Sequence, residues 1–333
     1  MTEHTFDVVG IGNAIVDVLA RSDDSFLADN DLAKGAMTLI DEDRAEQLYR
    51  AMHAPVEQSG GSAANTIAAL ASLGARAAFI GKVRDDALGD SFRRAIRDEG
   101  VVFDTPAANS GLATARCLIF VTPDAQRTMN TFLGASTDFG DGDLDEDVIR
   151  ASAITYLEGY LWDKPAAKQA FIRAAEIAHE AGNRVALSLS DAFCVDRHRD
   201  DFLALVDGHV DILFANEDEI ASLYQSGSFD DALQRVRGHC EIAALTRSEK
   251  GSVVIAGDEF HVLDAEHVAE VVDTTGAGDA YAAGFLFGLA RDLGLETAGR
   301  IGGIAAAEVI SHIGARPAKP LGELIAGRIE RHL

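Results

Sequence analysis

Asp273-Thr274-Thr275-Gly276-Ala277-Gly278-Asp279-Ala280 is the stretch of this chain best suited to chemistry. Two glycines flanking Ala277 let the backbone turn tightly and direct several N–H groups at one point. The apolar, proline-free run over 280–293 predicts a buried helix, and 268–272 reads as an extended β-branched segment ahead of it. The point therefore falls at a helix N-terminus, where unpaired N–H groups and the helix dipole favour an anion. Asp279 enters the first turn beside that site. A carboxylate there suits the removal of a proton from a hydroxyl that attacks a phosphoryl group. An aspartate that only capped the helix would need one of these residues, not the whole string.

Four other constellations lie at predicted strand or helix ends. Gly10-Ile11-Gly12-Asn13-Ala14-Ile15-Val16-Asp17 follows the first apolar run. It lacks the third glycine of a dinucleotide fingerprint, but Asn13 and Asp17 can hydrogen-bond a polyhydroxylated ligand. Gly60-Gly61-Ser62-Ala63-Ala64-Asn65 opens a helix of small residues, with Ser62 able to serve as its N-cap and Asn65 one turn in. Asn216-Glu217-Asp218-Glu219 follows a short apolar run, where an amide and carboxylates can hold hydrated magnesium beside phosphates, or simply start a helix. Thr246-Arg247-Ser248-Glu249-Lys250-Gly251 is a further strand-to-turn junction where a hydroxyl and N–H groups can meet a nucleotide. The chain has no G-x-x-x-x-G-K-S/T loop, no protein-kinase motif set and no G-x-S-x-G elbow.

The elements that must position these residues follow an α/β rhythm. Strands are predicted over 6–11, 77–80, 154–157, 185–189, 212–214, 242–246 and 252–255. Helices are predicted over 43–52, 62–73, 88–99, 164–181, 200–206, 217–224, 229–237, 280–293, 297–313 and 320–331. Alternation of this kind predicts a mainly parallel sheet with helices on both faces. Between 101 and 133 the pattern turns β-like, with runs over 115–121 and 128–133, and a short hairpin is predicted around 33–40. One α/β domain over 1–333 is expected, with a small β lid built from approximately 14–42 and 101–135.

Composition narrows the partners. With 29 Lys and Arg against 54 Asp and Glu, the net charge of −25 opposes the phosphate backbone, so nucleic acid is not an expected partner. No apolar stretch is long enough to span a membrane, the start is not basic, and a cytoplasmic protein is expected. Cys117, Cys194 and Cys240 have no zinc spacing and read as reduced structural thiols.

Together these residues resemble the ribokinase-like, or PfkB, family of carbohydrate and nucleoside kinases. Asp273 to Asp279 is similar to its D-T-x-G-A-G-D signature, the Gly60-Gly61 segment to its other signature, and Asn216 to Glu219 to its N-x-x-E motif. The order agrees from residue 6 to the Gly314-Ala315-Arg316-Pro317 tail. Within the family the residues are most similar to the adenosine kinase group. Gly12 to Asp17 resembles G-N-x-L/I-x-D, Val210 to Glu217 resembles V-D-I-L-F-x-N-E, and Arg127 to Ala135 falls where that group has an Arg followed by apolar lid contacts.

The resemblance implies a three-layer α/β/α fold and ATP-dependent phosphorylation of a ribonucleoside 5′-hydroxyl, with adenosine favoured. It implies Asp279 as base and the backbone of Gly276, Ala277 and Gly278 as anion hole. Asn13, Asp17, Gly60, Gly61 and Asn65 would meet the ribose. Arg127 would help neutralise phosphate, and Met129 and Leu133, with Ile15, Thr131 and Tyr160, are candidates for the base pocket. Asn216 and Glu219 would position Mg2+ through water, and Thr246, Gly251, Asn216 and Gly278 would lie near ATP. Asp273 and Thr275 are candidates for a monovalent-cation loop, with K+ as the ion. A monomer or a lid-mediated homodimer is expected. The rival readings are a family member acting on ribose, fructose or another sugar, and a nucleoside- or sugar-binding regulator without turnover. A dinucleotide-dependent oxidoreductase is a more distant one.

Overall fold

Phe6–Ile11 (β1) places Val8 on one face of a sheet and Val9 and Ile11 on the other, and all three are fully buried. A strand apolar on both sides requires a sheet covered on both faces. The computed structural model, which describes residues 4–124 and 126–329, has that arrangement. The remaining strands are Ile15–Arg21 (β2), Met37–Leu39 (β3), Val56–Gly60 (β4), Ala77–Ile80 (β5), Ala115–Val121 (β6), Arg127–Phe132 (β7), Ser152–Glu158 (β8), Arg184–Ser188 (β9), Ile212–Asn216 (β10), Ile242–Thr246 (β11), Ser252–Ala256 (β12) and Glu259–Leu263 (β13). The α-helices are Asp24–Asp29 (α1), Glu42–Ala51 (α2), Ser62–Ser72 (α3), Ala87–Asp98 (α4), Glu146–Arg150 (α5), Pro165–Glu180 (α6), Ala192–His209 (α7), Glu217–Tyr224 (α8), Phe229–Val236 (α9), Ala277–Ala290 (α10), Leu295–Val309 (α11) and Leu321–Ile329 (α12).

Eight strands form the large sheet in the order β13-β12-β11-β10-β9-β8-β1-β5. From β11 to β5 every pairing is parallel; β12 and β13 add antiparallel at the other edge. Val8 and Phe79 point into a core shared with α3, α10, α11 and α12, while Val9, Ile11 and Leu187 face α6, α7, α8 and α9. The expected three-layer α/β/α organisation is present.

The chain order reverses at β1, whose neighbours are β5 and β8. Crevices at such reversals, beyond the carboxyl ends of the strands, are where open α/β sheets take ligands. Over this end lies a second sheet, β3-β7-β6-β2-β4. Its strands come from 14–42 and 101–135, and also from β4, which lies outside both of those segments.

Several local expectations need correction. Residues 33–40 form no hairpin: β3 is a single strand that pairs in parallel with β7. Residues 268–272 form no strand, because β13 already ends the sheet. Val271 is left 58 % exposed, and the Val272 N–H instead donates to the Ile310 carbonyl at 2.9 Å. The helix predicted over 200–206 lies in the second part of α7, beyond a break at His198 (φ −130°, ψ 27°). The first part, not predicted, starts at Ala192 and is capped by Asp191, whose carboxylate accepts from the N–H groups of Phe193 and Cys194. Strands β2 and β13 and helix α1 were not predicted as separate elements, and β4, with one apolar side chain besides its glycine, gives little strand signal. The predicted helix end at 330–331 lies outside the described residues.

The glycines of α10 set how deeply this helix sits. A Cβ on Gly284 would lie 2.7 Å from Gly302 Cα of α11, so the two helices meet backbone to backbone. Close contact buries Phe285 and Leu286 completely against the sheet side of the core. Gly284→Val is expected to cost about 1–3 kcal/mol, the range for overpacking a dense core. Thermal melts check this, and an unchanged Tm would show that α10 and α11 separate without cost.

Candidate active site

The carboxyl ends of β1, β8, β10 and β11 deliver Asn13, Glu158, Asn216 and Thr246 to one edge of the large sheet. The N-termini of α3 and α10 arrive at the same edge. Gly276, with φ of +77°, is the N-cap of α10 and turns the chain into the helix in the left-handed region. The Ala277 N–H bends back to the Thr274 carbonyl at 3.2 Å. The N–H groups of Gly276, Gly278 and Asp279 have no protein acceptor among the described residues. These are the unpaired donors an incoming anion would meet.

Asp279 is half-buried in the first turn of α10 and is clasped by α3. The Ser62 hydroxyl donates to one carboxylate oxygen at 2.6 Å, and the Asn65 amide donates to the other at 3.1 Å. Burial pushes the Asp279 carboxyl up to about 6, while these two hydrogen bonds and the charge of Arg316 favour its ionised form. It is therefore mainly a carboxylate at neutral pH and able to accept a proton. Gly61, not Ser62, is the N-cap of α3, which frees the Ser62 hydroxyl for this contact.

Glu158 was not singled out from the sequence. It is 1 % exposed at the end of β8. One oxygen accepts from the Asn13 amide at 2.7 Å, and the other accepts from the Ala63 N–H at 2.7 Å. The second bond caps α3 from outside, since Gly61 has no side chain to do so. Glu158 thus ties the Asn13 turn to the helix that clasps Asp279. Burial pushes its carboxyl up to about 7. A glutamate closing an apolar run looks ordinary in sequence; only its contacts with residues 145 and 95 positions away distinguish it.

The second sheet presents a row of side chains to the same cleft. Asp17 on β2, Cys117 on β6 and Thr131 on β7 stand side by side in register. The next row on that face is Leu19, Ile119, Met129 and Met37. Gly60 runs so close to Asp17 that a Cβ there would strike the carboxylate. The Asp17 carboxylate has no hydrogen-bond donor among the described residues. Burial pushes it up to about 6 against the opposing charges of Arg127 and Arg316. Arg127 reaches from β7 to the loop before α10, where it pairs with Asp273 and donates to the Thr275 hydroxyl at 3.0 Å. Asp273 also accepts from the N–H groups of Thr275 at 3.0 Å and Gly314 at 2.9 Å. The side chains proposed for a monovalent cation are thus engaged with the Arg127 guanidinium, which already supplies a positive charge there.

Toward the other side, Asn216 and Glu219 form a reciprocal capping box at the start of α8. The Asn216 side-chain oxygen accepts from the N–H groups of Asp218 and Glu219, both at 2.9 Å. Glu219 accepts from the Asn216 N–H at 2.9 Å and the Asn216 amide at 2.7 Å. Burial, with the charges of Asp191, Asp218 and Asp279, raises the Glu219 carboxyl to about 7. No cluster of three or more His, Cys, Asp or Glu side chains able to hold a metal exists among the described residues. Gly251 closes the β11–β12 turn against the Leu263 carbonyl, leaving no room for a Cβ. Thr246 ends β11, and Glu217 bridges to the adjoining Arg247 at 2.9 Å and Lys250 at 3.3 Å. Tyr160 is 41 % exposed in the turn after β8. Leu133, just beyond β7, and Ile15, the first residue of β2, are half-buried.

The sequence profile of the pfkB family carbohydrate kinases matches residues 32–321. The solved structure of a probable sugar kinase protein from Rhizobium etli CFN 42 is 49 % identical, with a TM-score of 0.90 over 97 % of this chain and 98 % of that one. The adenosine kinase from Sinorhizobium meliloti is 52 % identical, with a TM-score of 0.89 over 97 % of this chain and 99 % of that one. Probable fructokinase-6, chloroplastic, of Arabidopsis thaliana is 32 % identical over 250 residues, 71 % of this chain. That match spans 63 % of the fructokinase's length.

Glu158→Gln leaves either the Asn13 amide or the Ala63 N–H without an acceptor, at an expected cost of about 1–3 kcal/mol. The wild-type carboxyl binds its proton more tightly folded than unfolded. Wild-type stability therefore declines as pH rises from about 4.5, the unfolded value, through about 7. The glutamine variant lacks that decline. The gap in Tm between the two proteins should shrink between pH 5 and pH 8, and a gap constant with pH would show that Glu158 does not titrate in this window.

Proposed function

Because the chain belongs to the pfkB family of carbohydrate kinases and has the ribokinase-like α/β fold, we propose that it transfers the γ-phosphate of ATP to the 5′-hydroxyl of a ribonucleoside, adenosine first among them. Kinases of this family are phosphotransferases with alcohol acceptors. The observation that carries the assignment is Asp279, held by Ser62 and Asn65 at the N-terminus of α10 beside three unpartnered N–H groups. Asp279 takes the proton of the acceptor hydroxyl as its oxygen bonds to the γ-phosphorus, and the bond to the bridging oxygen breaks to release ADP. The N–H groups stabilise charge on the transferring phosphoryl group. With adenosine as acceptor the products are AMP and ADP.

Asp17 and Asn65 suit a vicinal diol, because an ionised carboxylate accepts from two hydroxyls at once. Asn13, Gly60 and Gly61 line the same corner. A nucleoside is favoured over a free sugar by the apolar row beside Asp17. Leu19, Met129 and Met37 offer a base-sized surface that a small sugar would leave uncovered. The 52 % identity to the Sinorhizobium adenosine kinase supports the same choice. Fructokinases and a probable sugar kinase among the relatives make sugars the second reading. Mg2+ fits as an ion that keeps its water shell, since Glu219, Asp191 and Asp279 supply negative field without a closed cage of ligands. When bound it would neutralise phosphate charge. Thr246 and Gly251 border the ATP side, and Arg127 adds positive charge near the transferred group.

ADP release should be measured with magnesium across adenosine, inosine, guanosine, ribose and fructose. Adenosine is expected to be turned over best, and Asp279→Asn is expected to cut turnover by on the order of 10²-fold or more. A folded Asp279→Asn protein with near-normal turnover would remove Asp279 as base. Turnover confined to a sugar would replace the acceptor and leave the base assignment standing.

The second sheet is expected to act as a lid that closes over the acceptor and excludes water, which would otherwise compete for the phosphoryl group. Hydrogen exchange in β2, β6 and β7 should slow when adenosine binds. Equal exchange with and without it would count against closure.

A further inference from the structure

Arg316 has no role in the reading above, yet it is 7 % exposed in a region crowded with carboxylates. It belongs to the tail Gly314-Ala315-Arg316-Pro317, which is docked on the anion loop. The Gly314 N–H donates to Asp273 at 2.9 Å, and a Cβ on Gly276 would lie 2.7 Å from Ala315 Cα. The guanidinium then reaches across to the second sheet. It pairs with Glu99, the C-cap residue of α4, and donates to the Ser59 carbonyl at 3.0 Å and the Ser59 hydroxyl at 3.1 Å. Ser59 directly precedes Gly60, the glycine packed against Asp17. The Nε of Arg316 is buried with no protein acceptor among the described residues.

We propose that Arg316 is a positioning residue for phosphoryl transfer, a buried positive charge that pins the strand before Gly60, and with it the corner that holds Asp17, to the anion loop that leads into Asp279. The inference rests on the kinase reading, in which Asp279 must be deprotonated to act. Burying an unpaired guanidinium donor is costly, so Nε adds little to stability where it lies. Its value is the charge. Arg316 lowers the proton affinity of both carboxylates, and both in turn stabilise its cation. Asp17 and Asp279 also repel each other. Without a cation between them, one of the pair would hold a proton nearer to neutral pH.

The other charged and titratable groups around the pair are distinct. Asp17 also faces Arg127 on β7 and Cys117 on β6. Asp279 is hydrogen-bonded by Ser62 and Asn65 on α3. It faces Tyr156 and Glu158 on β8, Tyr160 in the turn beyond, and Glu219 in the first turn of α8. Arg127 is paired with Asp273 and Arg316 with Glu99; the charge of Arg127 acts on Asp17, while that of Arg316 acts on both Asp17 and Asp279.

The test compares the pH dependence of kcat/KM in wild type, Arg316→Gln and Arg316→Lys, using the acceptor that wild type turns over best. Arg316→Gln should move the acidic limb up by about one pH unit, the scale expected for losing a unit charge in a partly screened site. Activity then falls about fivefold at pH 6, where a midpoint moved from about 6 to about 7 cuts the ionised fraction from about one half to about one eleventh, and stays near wild type at pH 8.5. Arg316→Lys, which keeps the charge and loses the planar fork, should retain the wild-type limb. A loss equal at all pH values in Arg316→Gln, or a limb that rises equally in Arg316→Lys, overturns the proposal. If Arg316→Gln does not fold, the Arg316→Lys limb decides. If wild type turns over none of the acceptors, the kinase reading fails on its own. Arg316 is then tested by carboxyl carbon NMR titration of Asp279, assigned with Asp279→Asn, where an unmoved midpoint in Arg316→Gln overturns the charge role.

Discussion

A helix-start carboxylate that must take a proton needs to be held still without being neutralised. The clasp of Asp279 by Ser62 and Asn65 meets both requirements, because hydroxyl and amide donors fix the carboxylate without neutralising it. The clasp joins helices whose partners lie 217 and 214 residues apart in sequence. Its geometry depends on how α3 and α10 are seated on the large sheet. The α3 end is set by Glu158, which caps the helix from β8, and by Gly61, whose lack of a side chain leaves the cap position to it. The α10 end is set by Gly276 against the tail and by Gly284 against α11. A shift of either helix by one side-chain volume would break the hydrogen bonds that orient the base.

The cleft is strongly acidic. Asp17, Glu158, Asp191, Glu219 and Asp279 converge on it, and burial raises four of them above the usual carboxylate range. On the proposed reading, such a site would repel a polyphosphate unless cations arrive with the ligand or are built in. The chain supplies Arg127 beside Asp273 and Arg316 beside Glu99, with the charge of Arg316 acting also on Asp17 and Asp279. Magnesium brought with ATP would supply the rest. Acidity of this kind discriminates against free anions while accepting a metal-neutralised nucleotide, which follows from Coulomb energies alone.

The strings that carry the proposed chemistry were legible in sequence because they are local. Asp279, the glycines before it, and Asn65 one turn into a helix of small residues each lie in a short string whose turn and helix signals agree. The six parallel strands were legible for the same reason, since both their faces are apolar. Glu158 and Arg316 were not, because their meaning lies in contacts with distant segments, and nothing in their immediate neighbours separates them from surface charges. Ser62 has the residue type of an N-cap, yet Gly61 holds that position and Ser62 is a partner of Asp279; the two roles use the same residue type at nearly the same position. The 268–272 run failed as a strand because β-branched composition predicts extended backbone, not a free sheet edge to pair with.

The two sheets divide the work. The large sheet brings Asp279, the loop before it and the capping box of α8 to one edge, and hydrogen bonds fix both the carboxylate and the box. Asp17, Cys117, Thr131 and the apolar row beside them stand on the smaller sheet, where side chains on one face can change without moving the base. Alternation along β2 and β7 keeps those substitutions from disturbing Val16, Val18, Thr128 and Asn130 on the buried face. On the proposed reading, acceptor choice can therefore vary by changing the half-exposed residues of a few short strands, while transfer chemistry stays with α3 and α10. Residues that cross between the sheets, Arg127 and Arg316, are the exception. They touch the anion loop or its docked tail from one side and the acceptor sheet from the other, so a change at either one alters binding and chemistry together.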